Sequence, residues 1–145
     1  MKIVLPLFQF YPYKGVGANR WNNLSRHLGE KYQIEVWTIK REGINNNLYK
    51  KINFRFFKTD PITKLSELSF TNKIINLLYK KILSTVLLFF FPTDPYEYWS
   101  LFLKDAIVEE ISKGSLFILT GGPFSVQSNL VKILKKNNYK NYILD

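Results

Sequence analysis

The sequence predicts an α/β protein in which an open, mostly parallel sheet is flanked by helices. Strand-like and helix-like segments alternate along most of the 145 residues, which is the pattern of such sheets. Several strand-like segments are continuous apolar runs, as expected for strands buried on both faces. Small polar residues, glycine and proline follow two of these runs, at 9–19 and 121–125, where parallel strands present their ligand-binding loops. This length suits one domain with a core.

The first half of the chain predicts a β-loop-α-β unit and a third strand. "KIVLPLF" at 2–8 lacks alternation and predicts a buried strand. The helix after the glycine loop has apolar residues on one face, namely Ala18, Trp21, Leu24 and Leu28. Gly29 is the expected stop signal. "IEVWTI" at 34–39 and "INFRFFK" at 52–58 are rich in β-branched and aromatic residues, which favour strands.

Residues 71–91, "TNKIINLLYKKILSTVLLFFF", carry apolar residues on more than one helical face. We expect a core helix here. The alternative is a helix at a membrane interface, with Lys73, Lys80 and Lys81 as its contacts. Because these lysines interrupt the apolar stretch, it is too short to span a bilayer.

An amphipathic helix is predicted after Pro92 and Pro95, and Gly114 is expected to end it. Its apolar side comprises Trp99, Phe102, Leu103, Ala106, Ile107 and Ile111. The pair "EE" at 109–110 is expected on its solvated side, rather than as an acid/base pair. Asp94 is expected to be a turn residue.

The last third predicts a further β-α-β unit. "SLFILT" at 115–120 is a buried strand, and "GGPFS" is the loop after it. The next helix has an apolar face of Val126, Leu130, Ile133 and Leu134. "NYILD" at 141–145 begins one more strand. A parallel strand normally needs a following helix to cover its face, so we expect the sequence to be part of a longer protein.

The chain has 21 Lys and Arg against 11 Asp and Glu, a net charge of +10. This favours anionic partners such as nucleic acid, a phospholipid surface or phosphorylated substrates. An AT-rich genome, which uses Lys and Asn freely, would give the same excess. No motif of an RNA- or DNA-binding module is present, so nucleic acid is not the expected partner.

Several kinds of site are excluded by composition. The absence of cysteine excludes disulfide scaffolds, thiolate metal sites and a cysteine nucleophile. The single histidine, His27, excludes a histidine metal cluster. It lies near the C-terminal end of the first helix, where an exposed or dipole-stabilised histidine is the ordinary interpretation, so we identify no Ser-His-Asp arrangement. We expect no metal and no cofactor. The N-terminus does not have the pattern of a signal peptide, so the expected location is cytoplasmic.

The first glycine loop, "FYPYKGVGANRW", offers a candidate binding site for a phosphate or a sugar. Gly15 and Gly17 allow positive φ and close approach of the backbone to a ligand. Backbone N–H groups at the helix start could hold an anion. Asn19 and Arg20 would project from this first turn, and Arg20 suits a phosphate. The alternative is a turn that needs glycine for its own shape.

This loop does not match the dinucleotide-binding fingerprint. Arg20 stands where the third glycine belongs, and the loop is long. Lys40 and Arg41 follow the second strand, where an acidic residue would bind the ribose. We therefore expect no nicotinamide or flavin dinucleotide.

The second cluster is "TGGPFS" at 120–125. Gly121 and Gly122 permit close approach at a strand end, and Pro123 suits the start of a helix. Ser125 can bond the helix N-terminus or a ligand, ordinary helix capping being the alternative. Asp145 adds a carboxylate at the carboxyl end of the last strand.

Two segments resemble known proteins. "KIVLPLFQFYPYKGVGANRWNNLSRHLGEKYQIEVWTI" resembles the opening of family 4-type glycosyltransferases, which have the GT-B fold. "ILTGGPFSVQSNLVKILKKNNYKNYILD" is similar to a later segment of the same domain, in the right order and at the right distance. The resemblance implies a Rossmann-like domain, one half of a GT-B fold, spanning residues 1–145.

The resemblance also implies a function. This domain would hold the glycan or lipid-linked acceptor in cell-surface polysaccharide biosynthesis, at the inner face of a bacterial membrane. A C-terminal domain, absent from this sequence, would bind the nucleotide-sugar donor. The chain alone is therefore expected to be inactive.

By the same resemblance, both loops and the last strand would face the interdomain cleft. The implied substrate-binding residues are Gly15, Val16, Gly17, Asn19, Arg20, Gly121, Gly122, Pro123, Phe124, Ser125 and Asp145. Asp145 would open the family's D-x-R-D segment. No catalytic base is assigned, so retention or inversion of stereochemistry is not predicted.

The chain departs from the family at Gln33, where histidine is common, and at Gly121 and Gly122, where serine and proline are usual. Two other functions remain open. One is a non-catalytic basic module that binds a membrane surface or nucleic acid. The other is a fragment of a nucleotide-sugar epimerase, whose catalytic carboxylates and histidines we do not find.

Overall fold

The computed structural model describes residues 1–8, 10, 16–39, 51–57, 71–90, 97, 99–120 and 123–145. These residues form a parallel sheet flanked by helices. In chain order the elements are β1 (Lys2–Pro6), α1 (Val16–Lys31), β2 (Gln33–Ile39), β3 (Ile52–Phe57), α2 (Lys73–Phe90), α3 (Trp99–Ser112), β4 (Leu116–Leu119), α4 (Phe124–Lys136) and β5 (Tyr142–Leu144).

The five strands pair in the order β3-β2-β1-β4-β5, and every pairing is parallel. The predicted fold class, a Rossmann-like open parallel α/β sheet, is confirmed. The chain builds outward from β1 to β3 on one side and then places β4 and β5 on the other. The strand order therefore reverses between β1 and β4, which is the topological switch point of the sheet.

Alternate residues of the central strands enter two separate cores, as the two-residue period of a strand requires. One core packs against α1 and includes Ile3, Leu5, Trp21, Ile34 and Val36. The other packs against α3 and α4 and includes Val4, Trp37, Leu103, Phe117 and Leu130. Helix α1 therefore covers one face of the sheet, and α3 and α4 cover the other.

Three local predictions were wrong. Gly29 does not end α1, which continues to Lys31, and it is instead buried in the helix. An added Cβ at Gly29 would lie 3.4 Å from the carbonyl oxygen of Lys51, which is an ordinary van der Waals distance, so the β3 segment approaches this helix closely but leaves room for a methyl group. Strand β1 ends at Pro6 rather than at residue 8. Phe102 is 44% exposed, because it lies off the buried side of α3.

Helix α2 differs most from its prediction. It is helical as expected, but the expected core position is wrong for many of its apolar side chains. Ile74, Leu77 and Ile82 are 69%, 70% and 64% exposed. Among the helices of the described residues, none is both long and apolar enough to cross a bilayer.

The predicted solvent exposure of Glu110 was also wrong. Glu109 is exposed as predicted, whereas Glu110 is fully buried. Its carboxylate accepts hydrogen bonds from Lys2 Nζ at 2.9 Å, Lys113 Nζ at 2.9 Å and Ser115 Oγ at 2.7 Å. Burial alone would raise the pKa of Glu110, but these bonds outweigh it and lower the pKa to about 2. This charged cluster joins α3 to the amino edge of the sheet.

Candidate functional site

The candidate site lies at the carboxyl edge of the sheet, at the switch point between β1 and β4. These strands are neighbours and parallel, so their carboxyl ends point the same way. The helices that follow them, α1 and α4, pack on opposite faces. In open α/β sheets, the space between two such helix starts is the crevice where ligands bind.

The first turn of α1 forms one side of this crevice. Val16, Gly17, Asn19 and Arg20 are all exposed there, and no acidic residue occupies the turn. An added Cβ at Gly17 would meet no atom within 4 Å, so the space beside it is open. Gly17 is helical and does not have positive φ, so that part of the expectation was wrong.

A continuous set of hydrogen bonds connects α1 with the ends of β4 and β5. Arg20 Nη2 donates to Asp145 Oδ1 at 2.9 Å, and Thr120 Oγ1 donates to Asp145 Oδ2 at 2.8 Å. Trp21 Nε1 in turn donates to Thr120 Oγ1 at 2.9 Å. We call these four residues the switch-point cluster. They hold the Asp145 carboxylate against the first turn of α1.

Gln127 ties the two central strands together at the same edge. Its Nε2 donates to the carbonyl oxygens of Pro6 at 3.3 Å and Thr120 at 3.1 Å. The Gln127 side chain thus bridges the last residue of β1 and the residue that follows β4. Asp145 N–H donates to the Leu119 carbonyl oxygen at 3.0 Å, which fixes the end of β5.

Two polar atoms beside this bridge are buried without a hydrogen-bond partner among the described residues. They are the Ser125 Oγ and the Gln127 Oε1. Gln127 itself is only 9% exposed. An unsatisfied buried oxygen costs free energy, so each of these atoms can accept a hydrogen bond from a group that enters the crevice.

The structure brings most of the predicted site residues to this one edge. Val16, Gly17, Asn19 and Arg20 lie on the α1 side, Pro123, Phe124 and Ser125 on the α4 side, and Asp145 at the end of β5. Gly15, Gly121 and Gly122 lie outside the described residues. Lys73, Lys80 and Lys81 lie on α2, apart from this constellation.

Sequence reasoning missed three residues of the site: Trp21, Thr120 and Gln127. The Trp21 ring packs in the core as predicted, but its indole N–H points to the site. Thr120 carried a signal, because it is the last residue of a strand that precedes a glycine loop. Gln127 carried one too, since it is a polar residue next to Val126 on an apolar helix face.

The arrangement can bind an anion and hydroxyl groups. Arg20 supplies a guanidinium whose side chain is 60% exposed, and the first turn of α1 supplies backbone N–H groups. Nowhere in the described ranges do three or more His, Cys, Asp or Glu residues gather as metal ligands.

A cavity of about 600 Å³ lies elsewhere, beside the edge strand β5. Its lining residues are Lys135, Asn138, Tyr139, Lys140, Tyr142 and Leu144. Both lysines are exposed, and the cavity contains neither of the unpartnered buried oxygens. We therefore assign the candidate site to the switch point rather than to this cavity.

No protein-family model and no curated protein matches this chain. Among solved structures, the chain is similar to the C-terminal domain of a hydrogenase from Pyrococcus furiosus, with 12% identity and a TM-score of 0.49. The match covers 99% of this chain and 89% of that one. So distant a likeness does not bear on function.

Proposed function

We propose that this chain is the N-terminal, acceptor-side domain of a GT-B glycosyltransferase. The reaction is transfer of a sugar from a nucleotide-sugar donor to a glycan or lipid-linked acceptor in cell-surface polysaccharide assembly. The observation that supports it is the switch-point cluster, in which an exposed arginine, a helix start and a strand-end carboxylate meet at the edge where this fold binds ligands.

Arg20 and the first turn of α1 would stabilise diphosphate charge. Helix N-termini favour anions, and a guanidinium can form two parallel bonds to a phosphate. The side chains of Arg20 and Asp145 are 60% and 33% exposed, and exposed ion pairs contribute little free energy. The guanidinium can therefore leave Asp145 for a phosphate at small cost, and charge in the transition state would be held by preorganised donors.

The α4 side would recognise hydroxyl groups of the acceptor. Gln127 bridges the carboxyl ends of β1 and β4, and Ser125 lies in the first turn of the helix that follows β4. Ser125 Oγ and Gln127 Oε1 are buried without a hydrogen-bond partner among the described residues. Each oxygen can accept a hydrogen bond from a sugar hydroxyl. A site that buries polar atoms discriminates against ligands that leave them unpaired.

The test is a transfer assay on the product of the complete reading frame that encodes this chain. Radiolabelled nucleotide sugars are offered together with a lipid-linked acceptor. Arg20→Ala is expected to reduce transfer by about tenfold or more, because it removes a charged contact. Lys31→Ala, an exposed charge in the last turn of the same helix, is the matched control and should leave transfer unchanged.

Two results would contradict the proposal differently. Absence of transfer with every donor would reject the glycosyltransferase function. Transfer that Arg20→Ala leaves unchanged would keep the function but reject this site.

A second candidate, a non-catalytic basic module on a membrane surface, is favoured by one observation. Helix α2 exposes apolar side chains beside lysines. Sugar transfer that depends on Arg20 would exclude a purely non-catalytic role.

A further inference from the structure

Helix α2 carries a continuous exposed apolar stripe. Ile74, Leu78 and Ile82 are spaced four residues apart, so they lie on one helical face. They are 69%, 56% and 64% exposed. Ile75 and Val86, at 50% and 46%, extend the exposed apolar surface beside them. Single exposed apolar residues are ordinary, but a contiguous patch marks an interaction surface.

A basic flank runs along this stripe. The flank is centred on Leu77, which lies three residues after Ile74. Three lysines surround the Leu77 side chain at helical spacings of three or four residues, namely Lys73, Lys80 and Lys81. The three lysines are exposed, and the ion pairs of the described residues involve none of them. The helix contains no acidic residue. Its positive charge is therefore available to an external partner.

We propose that α2 docks the protein on an anionic lipid bilayer and lies in the plane of the interface. The stripe would enter the boundary between headgroups and acyl chains, and the lysines would extend to lipid phosphates. This pairing of an apolar face with cations is what an anionic membrane surface recognises. It predicts a peripheral contact and no spanning segment.

The charge argues against two other partners. A second copy packed through the same face would bring together two sets of three lysines with no acidic residue on either helix, on a chain of net charge +10. A nucleic acid would bind the lysines but leave the aliphatic stripe in water. Only a partner that is both anionic and apolar satisfies both parts of the surface.

Vesicle flotation tests the docking directly. The chain is mixed with phosphatidylcholine vesicles, with or without phosphatidylglycerol, at low and high salt. We expect flotation with the anionic vesicles, and less at high salt, because screening weakens the lysine contacts. The double variant Leu78→Asp/Ile82→Asp should lose flotation. Leu101→Asp, at an exposed leucine on α3 (70%), is the control and should float as wild type does.

The triple variant Lys73→Gln/Lys80→Gln/Lys81→Gln should weaken binding to anionic vesicles on the order of a hundredfold, given the usual contribution of each basic residue. Circular dichroism of each variant establishes that it is folded. Failure of wild type to float, or flotation of the Leu78→Asp/Ile82→Asp variant, would overturn the proposal.

A fluorescence measurement locates the contact. The native Trp21, Trp37 and Trp99 are at most 4% exposed, so lipids cannot reach them in the folded protein. Ile82→Trp should be quenched by brominated lipids, whereas wild type should not. Unquenched Ile82→Trp on vesicles that float would place the contact elsewhere and overturn the assignment of α2. This proposal does not depend on sugar transfer, since it rests on another helix and another measurement.

Discussion

Glu110 shows how a single buried carboxylate joins α3 to the sheet. It has no exposed surface, and Lys2, Lys113 and Ser115 all donate hydrogen bonds to it. Lys2 also pairs with Glu35 at 2.7 Å. Burying a charge is costly unless it is paired and hydrogen-bonded, and here the partners come from β1 and from the segment between α3 and β4.

Because of this environment, the stability of the folded protein depends on pH. The folded pKa of Glu110 lies near 2, below its ordinary value of 4.5. The stabilisation is therefore complete above about pH 4.5 and is lost as pH falls towards 2, because the unfolded chain binds the proton first. The loss is on the order of 3 kcal/mol for a shift of this size.

Glu110→Gln should lower the free energy of unfolding at neutral pH by about 3 kcal/mol, because it removes the buried charge to which Lys2, Lys113 and Ser115 donate. It should also flatten the dependence of stability on pH between 4.5 and 2. Urea unfolding at several pH values measures both effects. Glu30→Gln, at an exposed position of α1, is the control. If the stability of Glu110→Gln depends on pH between 4.5 and 2 as that of wild type does, other groups cause this dependence.

Thr120 connects elements at the carboxyl edge of the sheet, as Glu110 does at the amino edge. Its hydroxyl accepts from Trp21 Nε1 and donates to Asp145. Thr120→Val should lower the free energy of unfolding by about 1–2 kcal/mol, because a buried indole N–H loses its acceptor. Thr120→Ser keeps the hydroxyl and should retain most of that stability. If Thr120→Ser loses as much stability in thermal unfolding as Thr120→Val does, the hydroxyl does not have the proposed role.

At the scale of elements, Gly29 tests how closely α1 approaches the β3 segment. A Cβ there would lie 3.4 Å from the Lys51 carbonyl oxygen, an ordinary van der Waals contact. Gly29→Ala should therefore raise the free energy of unfolding by about 0.5–1 kcal/mol, through helix propensity. Gly29→Leu should lower it, because further atoms would meet the Lys51 backbone. Urea unfolding of the pair decides the matter, and destabilisation by alanine would contradict this geometry.

The elements that the sequence predicted well are those with local signals. The strands β1 and β4 are mostly continuous apolar runs, β2 is rich in β-branched and aromatic residues, and α4 has an apolar face at helical spacing, so local patterns located them. Helix α2 was predicted as a helix for the same reason. Its exposure was not predictable, because the burial of an apolar face depends on which element packs against it. The position of Gly29 was not predictable for the same reason, because the approach of Lys51 is a tertiary contact.

At the scale of the whole molecule, the strand order explains why the candidate site could be predicted in part. Loops after parallel strands share one edge of the sheet, so Arg20, Ser125 and Asp145 could be placed together from sequence. The hydrogen bonds around these residues could not be predicted from sequence. The bonds that Trp21, Thr120 and Gln127 form join residues up to 121 positions apart, and no spacing rule predicts such pairs.

The central claim is that the switch point between β1 and β4 binds a sugar ligand that carries phosphate. Amide chemical-shift mapping by NMR tests it most directly, with this chain titrated with a short-chain prenyl-diphosphate sugar. The account predicts that the shifts concentrate at Gly17, Arg20, Thr120, Ser125 and Asp145, and that Arg20→Ala weakens them. Shifts confined to the amino edge around Lys2 and Glu110, or no shifts at all, would contradict it.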